Sequence, residues 1–262
     1  MTRGFWSDLR AAEFRSLPAD LVAVLPIGAV EQHGPHLPVS VDACLATTVA
    51  ERMLDHLDEG QHVLVLPAQA IGKSDEHLRH PGTLSLSAET LLAVLRETGA
   101  SVARAGVERL VFLNGHGGNS ALLDVAARDL RIAHDMIVAT CAWSAFAMLD
   151  EVFPGQDLTH DIHAGDIETS AMLAARPDLV DMGKARDFRP ATQDWQRDFP
   201  SVGIAGQPAR PGWIIDDLNR DGACGNAAAA TTEKGEALIG NAARNLALFL
   251  KEFARFDHRA PG

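Results

Sequence analysis

Short apolar runs alternate along the chain with stretches in which apolar residues recur every three or four positions. The apolar runs predict buried β-strands at 22–27, 62–67, 109–113 and 136–142. The three- and four-residue spacing predicts helices at 43–57, 87–105, 120–133, 166–175 and 233–256. Strands that alternate with amphipathic helices are typical of a parallel sheet covered on both faces. We therefore expect an α/β fold, with residues 1–262 forming a single three-layer domain in which helices flank a mostly parallel sheet.

The segment 181–230 departs from this alternation. It is rich in Pro, Gly and Asp, contains Trp195 and Trp213, and shows little hydrophobic periodicity. An irregular region of this length inside a compact chain is usually functional or forms contacts between subunits. The segment therefore weakly favours a homo-oligomer.

Composition and charge narrow the classes of function. The chain has 262 residues and a formal net charge of −12, which disfavours a nucleic-acid partner because phosphate binding depends on cationic side chains. No apolar run reaches the roughly 18 residues that a membrane-spanning helix needs, and the first residues lack the apolar core of a signal peptide. Three scattered cysteines favour neither a disulfide framework nor a Cys-type zinc site. We expect a cytoplasmic protein without a membrane partner.

Groups that bind protons or metals gather where the predicted strands end. Open parallel sheets bind their ligands at the carboxyl ends of the strands. Four segments at those ends, 28–42, 70–83, 114–119 and 160–170, contain seven of the eleven histidines. Random placement would not concentrate them in this way, so the sequence predicts a functional site at this edge of the sheet.

The first of these segments supplies several candidate ligands. Glu31 and His33 are two residues apart, which places both side chains on one side of an extended chain. Asp42 precedes a predicted helix and is either a ligand or its N-cap. His36 is flanked by prolines that stiffen the loop, and it either packs there or contacts substrate. Oxygen and nitrogen ligands without sulfur suit Zn²⁺, Mn²⁺ or Fe²⁺.

Two later segments extend the candidate set. His116 stands in "NGHGGN" directly after a predicted strand, where glycines let the backbone approach a ligand closely. The alternative for His116 is a loop histidine with satisfied hydrogen bonds, and the glycine spacing is not that of a phosphate-binding loop. Glu168 opens the predicted helix 166–175, where the helix dipole alone favours a carboxylate. The functional alternative is a ligand, since His163 lies just upstream.

Five stretches resemble the creatininase (creatinine amidohydrolase) family, and they occur in the family's order between residues 20 and 240. They are "PIGAVEQHGPHLPVSVD", "GKSDEHLRHPGTLSL", "LVFLNGHGGN", "HAGDIETSAML" and "GNAAAATTEKG". The resemblance implies a compact α/β hydrolase that is often hexameric and uses two divalent metal ions per subunit, such as zinc, manganese or iron. Its substrate would be a small molecule with a C–N amide bond.

The resemblance also implies roles for individual ligands. Glu31, Asp42 and His116 would hold one metal ion. His33 and Asp42 would hold the other, so that the Asp42 carboxylate bridges the two ions. In relatives that share "NGHGGN", the glutamate of "ETS" completes the second set, and that glutamate corresponds to Glu168.

Two positions depart from creatininase itself. Creatininase carries a carboxylate ligand two residues beyond the "NGH" histidine, where this chain has Gly118. It also carries a glutamate where this chain has Ile162, and its tryptophan that closes over creatinine has no clear match here. These departures predict that creatinine is a poor substrate.

The expected mechanism follows from the metal pair. A metal lowers the pKa of bound water to about 7, and the resulting metal-bound hydroxide would attack the amide carbonyl. His163 is the candidate that protonates the leaving nitrogen. The backbone N–H groups of Gly117 and Gly118 would polarise the carbonyl oxygen, and Ser74 and His77 would orient the substrate. A Ser74 nucleophile is the weaker alternative, because no GxSxG elbow surrounds it.

Two other functions remain open from the sequence. One is a peptide-trimming enzyme of redox-cofactor maturation, which the family includes. The other is a Rossmann-like protein that binds a ligand or metal without catalysis. A carboxylate shared between two metals favours catalysis over storage, so hydrolysis of a small cyclic or linear non-peptide amide is the leading hypothesis.

Overall fold

The central sheet lies within residues 2–259, the part of the chain that the computed structural model describes. Its strands are β1 Arg3–Phe5, β2 Val22–Ile27, β3 Val63–Val65, β4 Arg109–Asn114 and β5 Ile137–Ala142. They lie in the order β1-β3-β2-β4-β5, and every neighbouring pair runs parallel. A separate antiparallel pair is formed by β6 Asp187–Phe188 and β7 Gly225–Asn226.

The α-helices follow the strands in the alternation that the sequence predicts. They are α1 Val41–Met53, α2 Ala88–Arg104, α3 Ser120–His134, α4 Leu149–Val152, α5 Asp166–Ala175, α6 Thr192–Asp198, α7 Ile215–Leu218 and α8 Thr232–Phe253. In the described residues, none of these helices combines the length and the hydropathy that crossing a lipid bilayer requires.

Two apolar clusters cover the two faces of the sheet. Side chains alternate between the faces along a strand, so Val22 and Val24 of β2 join the cluster with α1, α5 and α8. Ala23 and Leu25 join the cluster with α2 and α3 on the opposite face. All six residues of β2 are buried, as expected for a strand with helices on both sides. The predicted three-layer α/β fold is confirmed.

The predicted elements are present, with shifts at their ends. The first helix begins at Val41, two residues before the predicted start, because Cys44 N already donates to Ser40 O at 2.9 Å. Ser40 therefore occupies the N-cap position, and Asp42 lies inside the first turn. The N-cap alternative for Asp42 is wrong.

Some elements gave no usable signal in the sequence. Strand β1 has three residues and pairs with the outer edge of β3, where Arg3 lies opposite Val63. A run of that length shows no periodicity, so the prediction missed it. The irregular segment 181–230 also contains α6, α7 and the small antiparallel pair.

Strands β2 and β4 end side by side and start the loops that form the site. Ile27 lies opposite Asn114, and Gly115 N donates to Ile27 O at 2.7 Å. A Cβ on Gly115 would lie 2.3 Å from Asp42 O. Glycine at this position therefore lets the "NGH" loop lie directly against the start of α1.

Candidate metal centre

Loops at the carboxyl edge of the sheet bring the predicted ligands together. Ligand atoms of Glu31, Asp42 and His116 lie within 4.8 Å of one another, and so do those of His33, Asp42 and Glu168. Asp42 belongs to both groups, because its Oδ1 is 3.1 Å from His33 Nε2 and its Oδ2 is 3.4 Å from His116 Nδ1. One carboxylate therefore lies between two sets of possible metal ligands, which is the arrangement that the family resemblance implies.

Backbone carbonyls fix the orientation of the histidine rings. Each ring donates one N–H to a carbonyl oxygen: His33 Nδ1 to Glu31 O at 3.0 Å, His116 Nε2 to Lys73 O at 2.9 Å, and His163 Nε2 to Gln32 O at 2.8 Å. The carbonyl acceptors assign the proton to these atoms and leave the other nitrogen of each ring facing carboxylates. Metal-binding histidines are held in the same way in known proteins.

The carboxylates and histidines at the centre are buried and shift one another's pKa values. Burial works against a charged His33, but the Asp42 carboxylate outweighs it and raises the pKa of His33 to about 10. The pKa of His116 rises to about 9 in the same way, through Glu31. Burial and repulsion from Glu31 raise the pKa of Asp42 to about 7, and burial raises the pKa of Glu168. Glu31 differs, because the neighbouring His116 outweighs the effect of burial and holds the pKa of Glu31 well below its usual range. Asp42 and Glu168 are therefore the carboxylates whose negative charge the site disfavours.

The donor set fits metal ions. Asp42 Oδ2 is a buried oxygen with no hydrogen-bond partner among residues 2–259. A buried polar atom of this kind is costly unless something compensates it. A cation held by Glu31, Asp42 and His116 would give Asp42 Oδ2 a partner. A second cation held by His33, Asp42 and Glu168 would offset the negative charge of Glu168.

His163 lies over the ligands in a tightly held turn. Its ring packs between those of His33 and His77, with centroids 4.1 and 4.4 Å away, and its Nδ1 is 3.6 Å from Glu31 Oε1. Burial, followed by the charge on His33, holds the pKa of His163 well below its usual range. Glu31, His33 and His163 also form a third group of possible ligands, so the geometry is compatible with either a proton-carrying or a metal-binding role.

The turn after His163 positions Glu168. Ala164 has a φ of 55°, in the left-handed region, and its N–H donates to Glu168 Oε2 at 2.6 Å. A non-glycine residue in this region is unfavourable and is often found at functional sites. Cys224 holds the turn on its other side, since its N–H donates to His163 O at 2.7 Å.

Ser74 and His36 lie among the supports of the ligands. The Ser74 hydroxyl is fully buried and donates to Glu31 Oε2. His36 Nε2 lies 2.9 Å from Thr169 Oγ1, and its ring stacks on Phe188. Neither belongs to the residues that line the cavity described next. Their positions favour a supporting role, and substrate contact by either stays a prediction.

A cavity of about 350 Å³ opens above the candidate ligands. We call its ligand side the cavity floor, which consists of Glu31, Asp42, His116, His163 and Glu168. We call the opposite side, residues 210–213, the outer wall. The remaining lining includes the predicted substrate-contacting residues His77, Gly117 and Gly118, together with Glu76 and Ile162.

Glu76 occupies space near Gly118, where creatininase carries a side chain. A Cβ on Gly118 would lie 2.4 Å from Glu76 Oε1, 2.4 Å from His116 Nε2 and 2.8 Å from Lys73 O. Glu76 Oε1 itself is 3.6 Å from His116 Nε2. Position 118 thus has no side chain, and the carboxylate of Glu76, from a neighbouring loop, lies beside it.

Among the cavity-lining residues that sequence reasoning missed, three have polar or aromatic side chains. Glu76 is next to the candidate His77, but its type and position also fit a solvated loop residue. Arg210 and Trp213 belong to the irregular segment 181–230, in which no periodicity assigns a direction to any side chain. Only the folded chain shows that these three line the same cavity as the candidate ligands.

A family model and individual relatives of known function both match this chain. The sequence model of the creatininase family, described as creatinine amidohydrolase, matches residues 7–250. A creatinine amidohydrolase from Pseudomonas putida is 35% identical over 263 residues, covering 94% of each chain. A mycofactocin precursor peptide peptidase from Mycobacterium ulcerans is 38% identical over 179 residues, covering 66% of each chain.

Solved structures agree with these relatives. A structure named creatininase Mn has a TM-score of 0.76 and 31% identity, and the alignment covers 95% of this chain and 97% of that one. A mutant creatininase of the Zn-Zn type has a TM-score of 0.75 and 32% identity, with the same coverage. The fold and the sequence thus point to the same group of proteins.

Proposed function

The chain belongs to the creatininase family, a family of hydrolases, and on this premise we propose that it hydrolyses the C–N bond of a small cyclic or linear amide with two divalent cations. The observation that carries the proposal is the Asp42 carboxylate, which lies between two groups of candidate ligands. A shared carboxylate suits two cations that act on one substrate. A non-catalytic binding site has no need of such a bridge.

The proposed cation sites use residues of the cavity floor together with the fully buried His33. Glu31, Asp42 and His116 would hold one cation, and His33, Asp42 and Glu168 would hold the other. Their nitrogen and oxygen donors suit zinc, manganese or iron. The names of two similar creatininase structures give manganese and zinc. When bound, the cations would lower the pKa of a water molecule and polarise a carbonyl group.

His163 is the proposed proton carrier. Its Nε2 donates to Gln32 O, so Nδ1 is the atom left to accept a proton. Because burial keeps the pKa of His163 low, the ring is neutral near pH 7 and can take the proton of the attacking water. It would then pass the proton to the leaving nitrogen, which departs poorly as an anion.

Other lining groups would orient the substrate. Backbone N–H groups of Gly117 and Gly118 would donate to the carbonyl oxygen as negative charge develops on it. His77 Nδ1 accepts from Gln32 Nε2 at 2.8 Å, so its Nε2–H is the donor that faces the floor, 3.5 Å from Glu31 Oε1. This N–H would hold a polar substrate atom above the ligands.

Cavity size supports a small substrate over a long one. A volume of about 350 Å³ is near the lower end of the range for small-molecule sites. The second candidate is trimming of a peptide, which similarity to the mycofactocin precursor peptide peptidases supports. A short peptide end would also fit, so the two candidates differ in the substrate and share the proposed floor chemistry.

A substrate panel tests the proposal. Protein loaded with zinc or manganese is assayed on creatinine, other cyclic amides, formamides and short peptides, with Asp42→Ala as the control for contaminating hydrolases. We expect metal-dependent cleavage of the C–N bond, seen as ring opening of a cyclic amide or release of amine from a linear one, for at least one non-peptide amide. Cleavage of peptides alone would establish the second candidate, and inactivity of fully loaded protein on the whole panel would contradict both.

We also propose a homo-oligomer, on the basis of the family resemblance, in which hexamers are common. Light scattering at micromolar concentration tests this part separately. A monomer under those conditions would contradict the oligomer without affecting the proposed chemistry.

A further inference from the structure

Arg210 is the permanently cationic side chain that lines the cavity in the described part of the chain. Four carboxylates share the cavity with it: Glu31, Asp42, Glu76 and Glu168. No carboxylate among residues 2–259 lies within 4.0 Å of its guanidinium nitrogens. The floor carboxylates are instead close to His33 and His116. Arg210 is therefore available to an anion that enters the cavity.

The backbone that carries Arg210 is well anchored. Ala209 N donates to Ser201 O at 3.0 Å, and Gly203 N donates to Ala209 O at 3.0 Å, so the chain is fixed immediately before Arg210. Pro211 follows, and a proline restricts both its own φ and the conformation of the residue before it. These restraints reduce the entropy that Arg210 would lose on binding a ligand.

Trp213 fixes the other end of the outer wall. Its side chain joins the apolar cluster of Ile215 and Leu218, and its ring lies edge-on to His77 with centroids 6.5 Å apart. Helix α7 begins at Ile215, and its Asp216 pairs with His80 of a neighbouring loop at 2.8 Å. The aromatic ring and the cation thus line the same cavity as the floor.

We propose that the outer wall selects substrates that carry a carboxylate. The carboxylate lies on the part of the substrate that remains after the amide is cleaved, and Arg210 binds it there. Trp213 packs against the atoms between the carboxylate and the amide. The guanidinium group suits this role because it can donate two parallel hydrogen bonds to one carboxylate. This inference rests on the proposed function and adds the substrate class, an amide with an anionic substituent.

Formate release from a matched pair of substrates tests the inference. N-formyl-β-alanine carries the carboxylate, its neutral carboxamide twin does not, and formate reports only the formyl C–N bond. In metal-loaded protein we expect Arg210→Gln to lower kcat/KM for the acid by about 10- to 100-fold, the range of a charge-assisted hydrogen bond, and to leave the twin unchanged. Arg210→Lys should restore part of the loss. Equal losses on both substrates would overturn the inference.

A matched control separates local from general charge effects. Arg220 is exposed and lies outside the cavity lining, so Arg220→Gln removes the same charge ten residues along the chain. We expect this variant to behave as wild type on both substrates. If Arg220→Gln and Arg210→Gln lower kcat/KM for the acid equally, the effect is long-range and the assignment to Arg210 is wrong.

A binding measurement keeps the inference independent of turnover. Calorimetry with 5-oxohexanoate, a ketone that keeps the three-atom spacing between carbonyl and carboxylate of N-formyl-β-alanine, should show affinity for metal-loaded wild type that falls by a similar factor in Arg210→Gln. Unchanged affinity would mean that the carboxylate binds the metals alone, which overturns the inference. Arg210-dependent binding without hydrolysis of any amide would instead contradict the proposed function and leave the inference standing.

The carboxylate could also belong to the end of a peptide. A short peptide with a free C-terminus is therefore compared with its amidated form in the same variants. If the protein prefers the peptide with the free C-terminus and loses this preference in Arg210→Gln, Arg210 binds a carboxylate and the substrate is a peptide. If an Arg210-dependent preference for the acid appears only with the formyl compounds, Arg210 binds a carboxylate and the substrate is a small amide.

Discussion

Glu31, Asp42 and His116 on the cavity floor are at most 5% exposed, whereas Arg210 on the outer wall is exposed to solvent. The floor residues lie in loops or in the first turns of helices, and close contacts join Glu31 to His116 and His163, and His116 to Asp42. The outer wall comes from the loop between α6 and α7 and is held mainly through its backbone and Trp213.

This difference suggests that the floor carries out the proposed hydrolysis and that the outer wall determines which substrates bind. A change on the floor disturbs several buried charges at once, so the floor tolerates little variation. A change on the wall alters one contact with whatever occupies the cavity. We therefore expect floor variants to affect every substrate alike, and wall variants to affect substrates according to their structure.

The largest effect is expected for Asp42→Ala. Removing the shared carboxylate should abolish binding of both cations and reduce hydrolysis to background, because both ligand groups contain Asp42. His33→Ala should lose mainly one cation, since His33 does not bridge. Elemental analysis of the two variants provides the measurement, and equal metal content in both would remove Asp42 from the bridging role.

His163→Asn should separate metal binding from turnover. Asn keeps polarity but cannot carry the proton, so we expect a loss of about 10²- to 10⁴-fold in turnover with both cations retained. His160→Asn is the matched control, because His160 lies three residues upstream and contacts Thr192 and Gln196 instead of the floor. Loss of a metal ion from His163→Asn would make His163 a ligand.

Creatinine should be a poor substrate, at least about tenfold below the best amide in kcat/KM. Ile162 lines the cavity where creatininase carries an acid, and Glu76 enters beside Gly118. Rates measured side by side on metal-loaded protein decide this point. If kcat/KM for creatinine equals that of every other amide tested, Ile162 and the Glu76–Gly118 arrangement do not determine substrate choice.

The smallest effect is expected for Trp213→Ala. Loss of aromatic packing worth about 0.5–1.5 kcal/mol should raise KM by about two- to tenfold with metal content unchanged. Phe199→Ala serves as the control, since Phe199 lies in the same loop region, is 60% exposed and is outside the cavity lining. A large fall in kcat with lost metal would show that the wall also supports the floor.

The sequence predicts the floor better than the wall for a physical reason. Floor residues follow strands with strong apolar periodicity, and the parallel arrangement forces their loops to one edge. The sequence pattern is therefore sufficient to bring Glu31, His33 and His116 together. Asp42 also falls at this edge, but the start of its helix depends on a backbone hydrogen bond to Ser40 that no side-chain pattern reveals.

The wall depends on contacts between distant parts of the chain. Its position follows from the pairing of Val202 with Ala209 and from the hydrogen bond of His80 with Asp216. Neither contact leaves a periodic signal in the sequence. The sequence does not predict strand β1 for a similar reason, because its three residues are extended through their pairing with the edge of β3.

The metal content of the wild-type protein tests the central claim most directly. Protein purified without chelator and equilibrated with zinc or manganese is analysed for metal and for protein concentration in the same sample. If Asp42 is shared between two ligand groups, the ratio should be close to two divalent ions per chain. A ratio that stays at one under metal-replete conditions would contradict the dinuclear centre.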